Sequence, residues 1–325
     1  MLHELIQIHT VKSILFFIFL YGGECHGQLS FADSIINRSS LRQSVLFLSQ
    51  DSLKGRLTGS AGADEAAKFI AAKFDSIGLI PAGGSHSYFD HFTANYEGKK
   101  NPARNVMAML PGKPINDSLV IFSAHYDHIG QKDDMPYNKE YNYKDEIYNG
   151  ANDNATGVAA LLELARYYKA QSSNSYSILF IAFSGEEMGM LGSNYLMKKS
   201  NPKIIKAVIN LEMLGRPSGK SPFITEDDSR AFRKMLNANL YQANPSYGQQ
   251  YFVSDPYSTQ NLFERSDNFP FHLAGIPANT IMATDPYDKY YHSSADHATT
   301  LDYEAMTKIV QAIADAVLPF IKGQF

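Results

Sequence analysis

Histidines and carboxylates recur in this chain where strands are expected to end. His125-Tyr126-Asp127-His128 follows an apolar run over residues 118–124, and Asp153 lies in the turn Gly150-Ala151-Asn152-Asp153-Asn154-Ala155-Thr156-Gly157. Phe183-Ser184-Gly185-Glu186-Glu187 closes a second apolar run, Asn210-Leu211-Glu212-Met213 closes a third, and Tyr290-Tyr291-His292 stands far downstream. If these ends converge, two or three imidazoles and four or five carboxylates meet. That many anions repel, and some must be protonated unless a cation is present. Imidazole nitrogen with carboxylate oxygen is a donor set suited to zinc. Two ions roughly 3.5–4 Å apart share a bridging carboxylate, a part that one Asp in a turn between strand ends can play. At a strand end successive side chains point to opposite sides. One member of Glu186-Glu187 can therefore ligate while the other acts as general base on water whose pKa a metal has lowered to about 7. Taken singly, these residues read otherwise: a strand-end histidine is an ordinary polar cap, and a Glu-Glu pair an ordinary solvated pair. The ordered series argues for chemistry. His128 reads as loop polarity, Asp267 as a helix cap or supporting carboxylate, Asp296 as orienting the segment around His292, and Arg216 as either a substrate contact or a structural ion pair.

The elements that must position these groups follow from periodicity. Residues 61–78 have helical spacing, with Ala66, Ala67, Phe69, Ile70, Phe74 and Ile77 on one face and Gly78 as a stop. Residues 105–110 and 118–124 read as strands. Residues 157–169 read as a helix whose Val158, Leu161, Leu162 and Ala165 share a face. Ser177–Phe183 is a near-continuous apolar strand, residues 207–211 and 278–283 are two more, and a last helix covers Tyr303–Ile321. Strands alternating with helices predict an α/β fold, a three-layer αβα sandwich with a central mixed, largely parallel sheet. In such sheets ligands sit beyond the carboxyl ends of the strands. The polar, Tyr-rich stretch 131–148 has no periodicity and reads as a loop whose tyrosines line a pocket rim or pack within the loop.

The chain has 325 residues, 44% hydrophobic and 19% charged, which excludes a disordered protein and leaves material for a large core. Its net charge of -4 gives no surplus of cations to neutralise phosphates, so no nucleic-acid partner is expected. The single cysteine, Cys25, excludes a disulfide framework and zinc sites built from several thiolates; a transition metal must be held by His, Asp and Glu. Residues 1–27 read as a signal peptide: Lys12, an apolar run over 14–20, and small residues at Cys25 and Gly27 before a cleavage at Gln28. Lipidation at Cys25 is the alternative, although Glu24 suits it poorly. The expected organisation is a signal peptide over 1–27 and one catalytic domain over 28–325, secreted or periplasmic. No apolar stretch reaches the length of a membrane span. Oligomeric state is not legible.

The series His125-x-Asp127, Asp153 within Asn-Asp-Asn-Ala-Thr-Gly, Gly185-Glu186-Glu187, Asn210-Leu211-Glu212-Met213-Leu214-Gly215-Arg216 and Tyr291-His292 resembles the co-catalytic zinc exopeptidases. That family includes bacterial leucyl aminopeptidases and, more distantly, glutamate carboxypeptidase II and the glutaminyl cyclases. The similarity covers about residues 40–320 and takes in Leu53-Lys54-Gly55-Arg56-Leu57-Thr58-Gly59. The resemblance implies two Zn2+ per chain: His125 and Glu212 completing one site, Glu187 and His292 the other, and Asp153 bridging. It implies Glu186 as general base, Asp127 as the partner fixing the tautomer of His125, and Tyr291 as a donor to the oxyanion. Glu212 stands where Asp is commoner, one methylene longer. The implied substrate is a peptide with a free N-terminus. Two alternatives remain: a single-zinc glutaminyl cyclase, although that branch places tryptophans near the site and this chain has none, and an inactive binding relative, although such relatives lose ligands that are present here. The preferred N-terminal residue is not legible.

Overall fold

The computed structural model describes residues 30–114, 117–132, 134, 145–219, 221–226 and 230–324. The segment 1–27 read as a signal peptide, with Cys25, and most of the 131–148 stretch read as a loop lie outside them. Two short helices, α1 (Phe31–Ile35) and α2 (Arg38–Leu48), lead into α3 (Ala61–Ile77). Ser60 caps α3 by accepting the Ala63 N–H at 3.2 Å, and Gly78 ends it in the left-handed conformation (φ 78°) that a residue without Cβ adopts freely. There follow β1 (Ile80–Pro81), β2 (Phe89–Tyr96), β3 (Lys99–Leu110), β4 (Leu119–His125), α4 (Thr156–Gln171), β5 (Ser177–Phe183), α5 (Leu191–Lys199), β6 (Ile205–Glu212) and β7 (Phe223–Thr225). The chain continues through α6 (Ala231–Ala243), β8 (Val253–Ser254), α7 (Phe269–Leu273), β9 (Ala278–Met282) and α8 (Tyr303–Ile321).

Among the described residues the strands form one sheet in the order β1-β3-β5-β4-β6-β9-β7-β8, with β2 beside β3. The central strands β5, β4, β6 and β9 run parallel. Both faces of these strands are covered. Val120, Phe122, Ile178, Phe180 and Ile209 pack in the large core that includes Phe74 of α3, Leu161 of α4 and Val310 of α8. Ile121, Leu179, Ile181 and Val208 face the other way, against Leu196 of α5 and Phe271 of α7. Burial on both sides is why these strands read as unbroken apolar runs. The flanks are antiparallel: β3 against β5, β2 against β3, and β7 against β9. The sheet is therefore mixed, as expected, and parallel where the site forms. The strand anticipated at 105–110 begins at Lys99, because its polar outer half pairs with β2 across a Glu97-Gly98 turn in which both residues have positive φ. Among the described residues no helix is long and apolar enough to cross a membrane.

Candidate metal centre

The parallel register sets the site. His125 is the last residue of β4 and lies opposite Phe183, the last of β5, so Glu186 and Glu187 follow at the same edge; Glu212 ends β6. Asp153 reaches this edge from the turn ahead of α4 and His292 from the loop after β9. His125 Nε2 lies 3.3 Å from Asp153 Oδ1 and 3.9 Å from Glu186 Oε2. His292 Nε2 lies 3.3 Å from Asp153 Oδ2 and 3.0 Å from Glu187 Oε2. The donor atoms of His125, Asp153 and Glu212 all fall within 4.8 Å of one another, as do those of His128, Asp153 and Glu187. Asp153 belongs to both clusters.

The donor set fits a metal. Among the described residues, Nε2 of His125 and of His128 is buried with no hydrogen-bond partner. A buried imidazole nitrogen left so is costly unless something binds it. Nδ1 of His125 lies 3.1 Å from the Asp127 carbonyl oxygen, which assigns a proton to Nδ1 and leaves Nε2 as the atom that faces Asp153. The Asp127 main chain therefore contacts the ring, and the carboxylate stands farther off at 3.9 Å. That carboxylate accepts instead from the Thr58 hydroxyl at 3.0 Å and the Glu186 N–H at 3.3 Å, and so holds the Glu186 backbone in place.

Burial pushes the Glu186 carboxyl well above the usual carboxylate range, against the pull of His125, with the charges of Glu212 and Glu187 adding to the rise. Burial likewise raises Glu212, again against His125, to about 7. At Glu187 burial is outweighed by the charge of His292 and by the His128 contact, and the carboxyl falls to about 2. His292 rises to about 10, burial overcome by Glu187 and Asp153. Protons on the imidazoles thus balance the carboxylates. A divalent ion would displace them and concentrate two charges at one point.

The turn carrying Asp153 is tied down on every side. Asn154 Oδ1 accepts the N–H groups of Gly157 (3.0 Å) and Met213 (3.2 Å), and its Nδ2 donates to the Leu211 carbonyl at 3.0 Å. Asn152 Oδ1 accepts from Gly215 N–H at 2.8 Å. A Cβ on Gly157 would come 2.4 Å from both Asn154 Oδ1 and the Leu211 oxygen, so only glycine lets α4 start this close to β6. Asp296, expected near His292, accepts from the backbone N–H groups of Asn152 (3.0 Å) and Asp153 (3.1 Å) and so holds the bridging turn. Arg216 pairs with Asp296 at 2.6 Å and with Asp288, which makes it a structural ion pair. Asp267 accepts from the Ser193 hydroxyl at 2.5 Å, and α7 begins after Asn268 with no side-chain cap bond.

Sequence reasoning missed two residues here. The first is His128: its Nδ1 sits 2.7 Å from Glu187 Oε1, on the side of the cluster that His292 also approaches. Its position three residues after His125 was the available signal. The second is Arg56, buried at 1% exposure. Its guanidinium donates to the carbonyls of Tyr126 (2.8 Å), Asn149 (2.6 Å), Gly150 (3.0 Å) and Leu48. One side chain thus joins the His125–Asp127 segment to the approach to Asp153. Burial lowers its pKa to about 10, offset in part by Asp153 and Asp127, so it stays charged at neutral pH. Arg56→Met should cost about 3 kcal/mol or more, because several buried carbonyls lose their donor at once. Urea denaturation of the metal-free protein measures this; an unchanged midpoint would show that these bonds hold nothing together.

Asp153, Glu186, Glu187 and Glu212 line one cleft with Met213, Leu262, Met282, Pro286 and Tyr291. Burial raises the Tyr291 phenol well above its usual range, with Asp153 and Glu187 adding to the rise, so it remains a hydrogen-bond donor. His/Asp/Glu clusters sharing one carboxylate at the carboxyl edge of an α/β sheet are the layout of a metal-dependent hydrolase. The family model for peptidase family M28 matches residues 105–317, and the chain belongs to that family. Aminopeptidase YwaD of Bacillus subtilis is 26% identical over 233 residues, 68% of this chain and 46% of that protein. A probable leucine aminopeptidase of Trichophyton verrucosum is 29% identical over 222 residues, 64% of this chain and 54% of that protein. The chain therefore spans about half the length of these curated relatives. The fold is shared with BSAP, a zinc aminopeptidase from Bacillus subtilis (TM-score 0.68, 18% identity, 92% of this chain and 97% of that one). It is shared about equally with Porphyromonas gingivalis glutaminyl cyclase (TM-score 0.66, 21% identity, 90% and 99%).

Proposed function

We propose that this chain is a two-zinc aminopeptidase that removes the first residue of peptides with a free N-terminus. The observation that carries the reading is the pair of donor clusters sharing Asp153, with Glu186 in the same cleft. In this reading His125, Asp153 and Glu212 hold one ion, and Asp153, Glu187 and His292 hold the other, with His128 hydrogen-bonded to Glu187. Zinc bound there supplies a Lewis acid for the scissile carbonyl and water of lowered pKa. Glu186 takes the proton of the attacking water and passes it to the leaving amine, a part that its place in the same cleft as Asp153, Glu187 and Glu212 supports. The Tyr291 hydroxyl donates to the carbonyl oxygen as charge develops there. Two full donor clusters favour this reading over a single-zinc glutaminyl cyclase. The proposal includes residues 1–27 as a signal peptide, residues 28–325 as the catalytic domain, and export to the periplasm or beyond.

The test is a purified protein assayed on leucine p-nitroanilide, its N-acetylated form and a Gln-initiated peptide. Release of nitroaniline from the free amine alone, lost with chelator and restored by zinc, is expected. Loss of ammonia from the Gln peptide without hydrolysis would favour the cyclase, and no zinc-dependent turnover of any substrate would end the proposal.

A further inference from the structure

We propose that His128 is a positioning residue for the metal centre: its Nδ1–H holds one oxygen of Glu187, so that Glu187 meets the second ion through the other oxygen alone. The inference rests on the two-zinc reading above and deepens it. The side chain of His128 is fully buried, and its Nδ1 lies 2.7 Å from Glu187 Oε1. His292 approaches the other oxygen, with Nε2 3.0 Å from Glu187 Oε2. The two rings stand edge to face, 5.7 Å apart at 73°, and each addresses its own oxygen. Spacing separates a ligand from a hydrogen-bond donor here. Two ligand atoms on a tetrahedral zinc, each about 2.0–2.1 Å from it, lie roughly 3.3 Å apart. His292 Nε2 comes close to that spacing on both sides, 3.3 Å from Asp153 Oδ2 and 3.0 Å from Glu187 Oε2. His128 Nδ1 does not: it is 3.9 Å from Asp153 Oδ2, and its 2.7 Å to Glu187 is the length of an N–H···O bond to a charged acceptor.

Among the described residues His128 Nε2 has no partner, and a neutral ring with its proton on Nδ1 is the form that leaves no buried N–H unpaired. The ring is also fixed in place. A Cβ on Gly150 would come 2.5 Å from His128 Cγ and Cδ2, so the bare backbone of Gly150 packs against the imidazole. Arg56 ties the two together: its guanidinium donates to the Gly150 carbonyl at 3.0 Å, and its own carbonyl accepts from the His128 N–H at 3.4 Å. The imidazole is thereby wedged between the turn that leads to Asp153 and the Glu187 carboxylate. A carboxylate held by one oxygen presents the other in a set direction, which is what a metal ligand gains from a partner one step removed.

The experiment titrates zinc into the metal-free protein in competition with a chromogenic chelator, with wild type beside His128→Leu and His128→Asn. The first substitution keeps apolar bulk and loses the donor; the second can place an amide N–H close to where Nδ1 stands. Wild type should bind two zinc ions. His128→Leu should weaken one of them about 10–100-fold and leave the other near its wild-type affinity, and His128→Asn should recover most of that loss. Zinc-loaded wild-type crystals give a readout that needs no variant: His128 Nδ1 should stay within hydrogen-bond distance of Glu187 Oε1. Unchanged affinities in His128→Leu, equal losses in the two variants, equal losses at both zinc positions, or a zinc ion bonded to His128 would each overturn the inference and leave the two-zinc reading standing. A wild type that binds fewer than two zinc ions would remove both.

Discussion

Glu186→Gln is expected to lower kcat by roughly 10²–10⁴-fold, the usual contribution of a general base, while fold and metal content stay as in wild type. Gln has nearly the same shape and keeps one oxygen, but it cannot accept a proton at neutral pH. Glu186 belongs to neither donor cluster, although its Oε2 lies 3.9 Å from His125 Nε2. Its backbone N–H is held by Asp127 at 3.3 Å, a contact the substitution does not touch. Steady-state kinetics beside zinc quantification read both halves of the prediction. Retained activity would remove Glu186 as the base, and lost zinc would recast it as a ligand.

Asp153→Asn is expected to act differently, removing metal as well as turnover. Asp153 Oδ1 faces His125 and Oδ2 faces His292, so one carboxylate serves both halves of the centre. The amide offers one neutral oxygen, and both positions lose charge together. Partners one step removed from a metal cost 10–100-fold in affinity when changed; a shared ligand should cost at least roughly that at both positions. Zinc at a hundredfold excess over its dissociation constant stabilises a fold by about 2.7 kcal/mol. The wild-type melting temperature should therefore rise on zinc addition and that of Asp153→Asn should not. Equal rises in the two proteins would show that the metal is held elsewhere.

Sequence periodicity made β4, β5, β6 and β9 legible because they are buried on both faces, and with them the edge where His125, Glu187 and Glu212 gather. The short flanking strands were not legible. Phe89–Tyr96 mixes polar and aromatic residues, and β7 and β8 span three and two residues. What positions the candidate ligands was also hidden. Arg56 contacts carbonyls up to 94 residues away, and Asp296 reaches back 144 residues to Asn152. Backbone carbonyls leave no trace in side-chain type, so no spacing rule finds such a partner. His128 and His292 both approach Glu187, and residue order alone does not rank them. The motifs carried the chemistry, and the contacts that aim it belong to the tertiary structure.

The most direct test of the central claim is anomalous diffraction at the zinc edge from zinc-loaded crystals. The account predicts two peaks in the cleft with Asp153 contributing an oxygen to each, and His125 Nε2 at about 2.0–2.1 Å from one of them. A single peak that leaves Glu187 and His292 without metal, or two peaks that Asp153 does not touch, would contradict it.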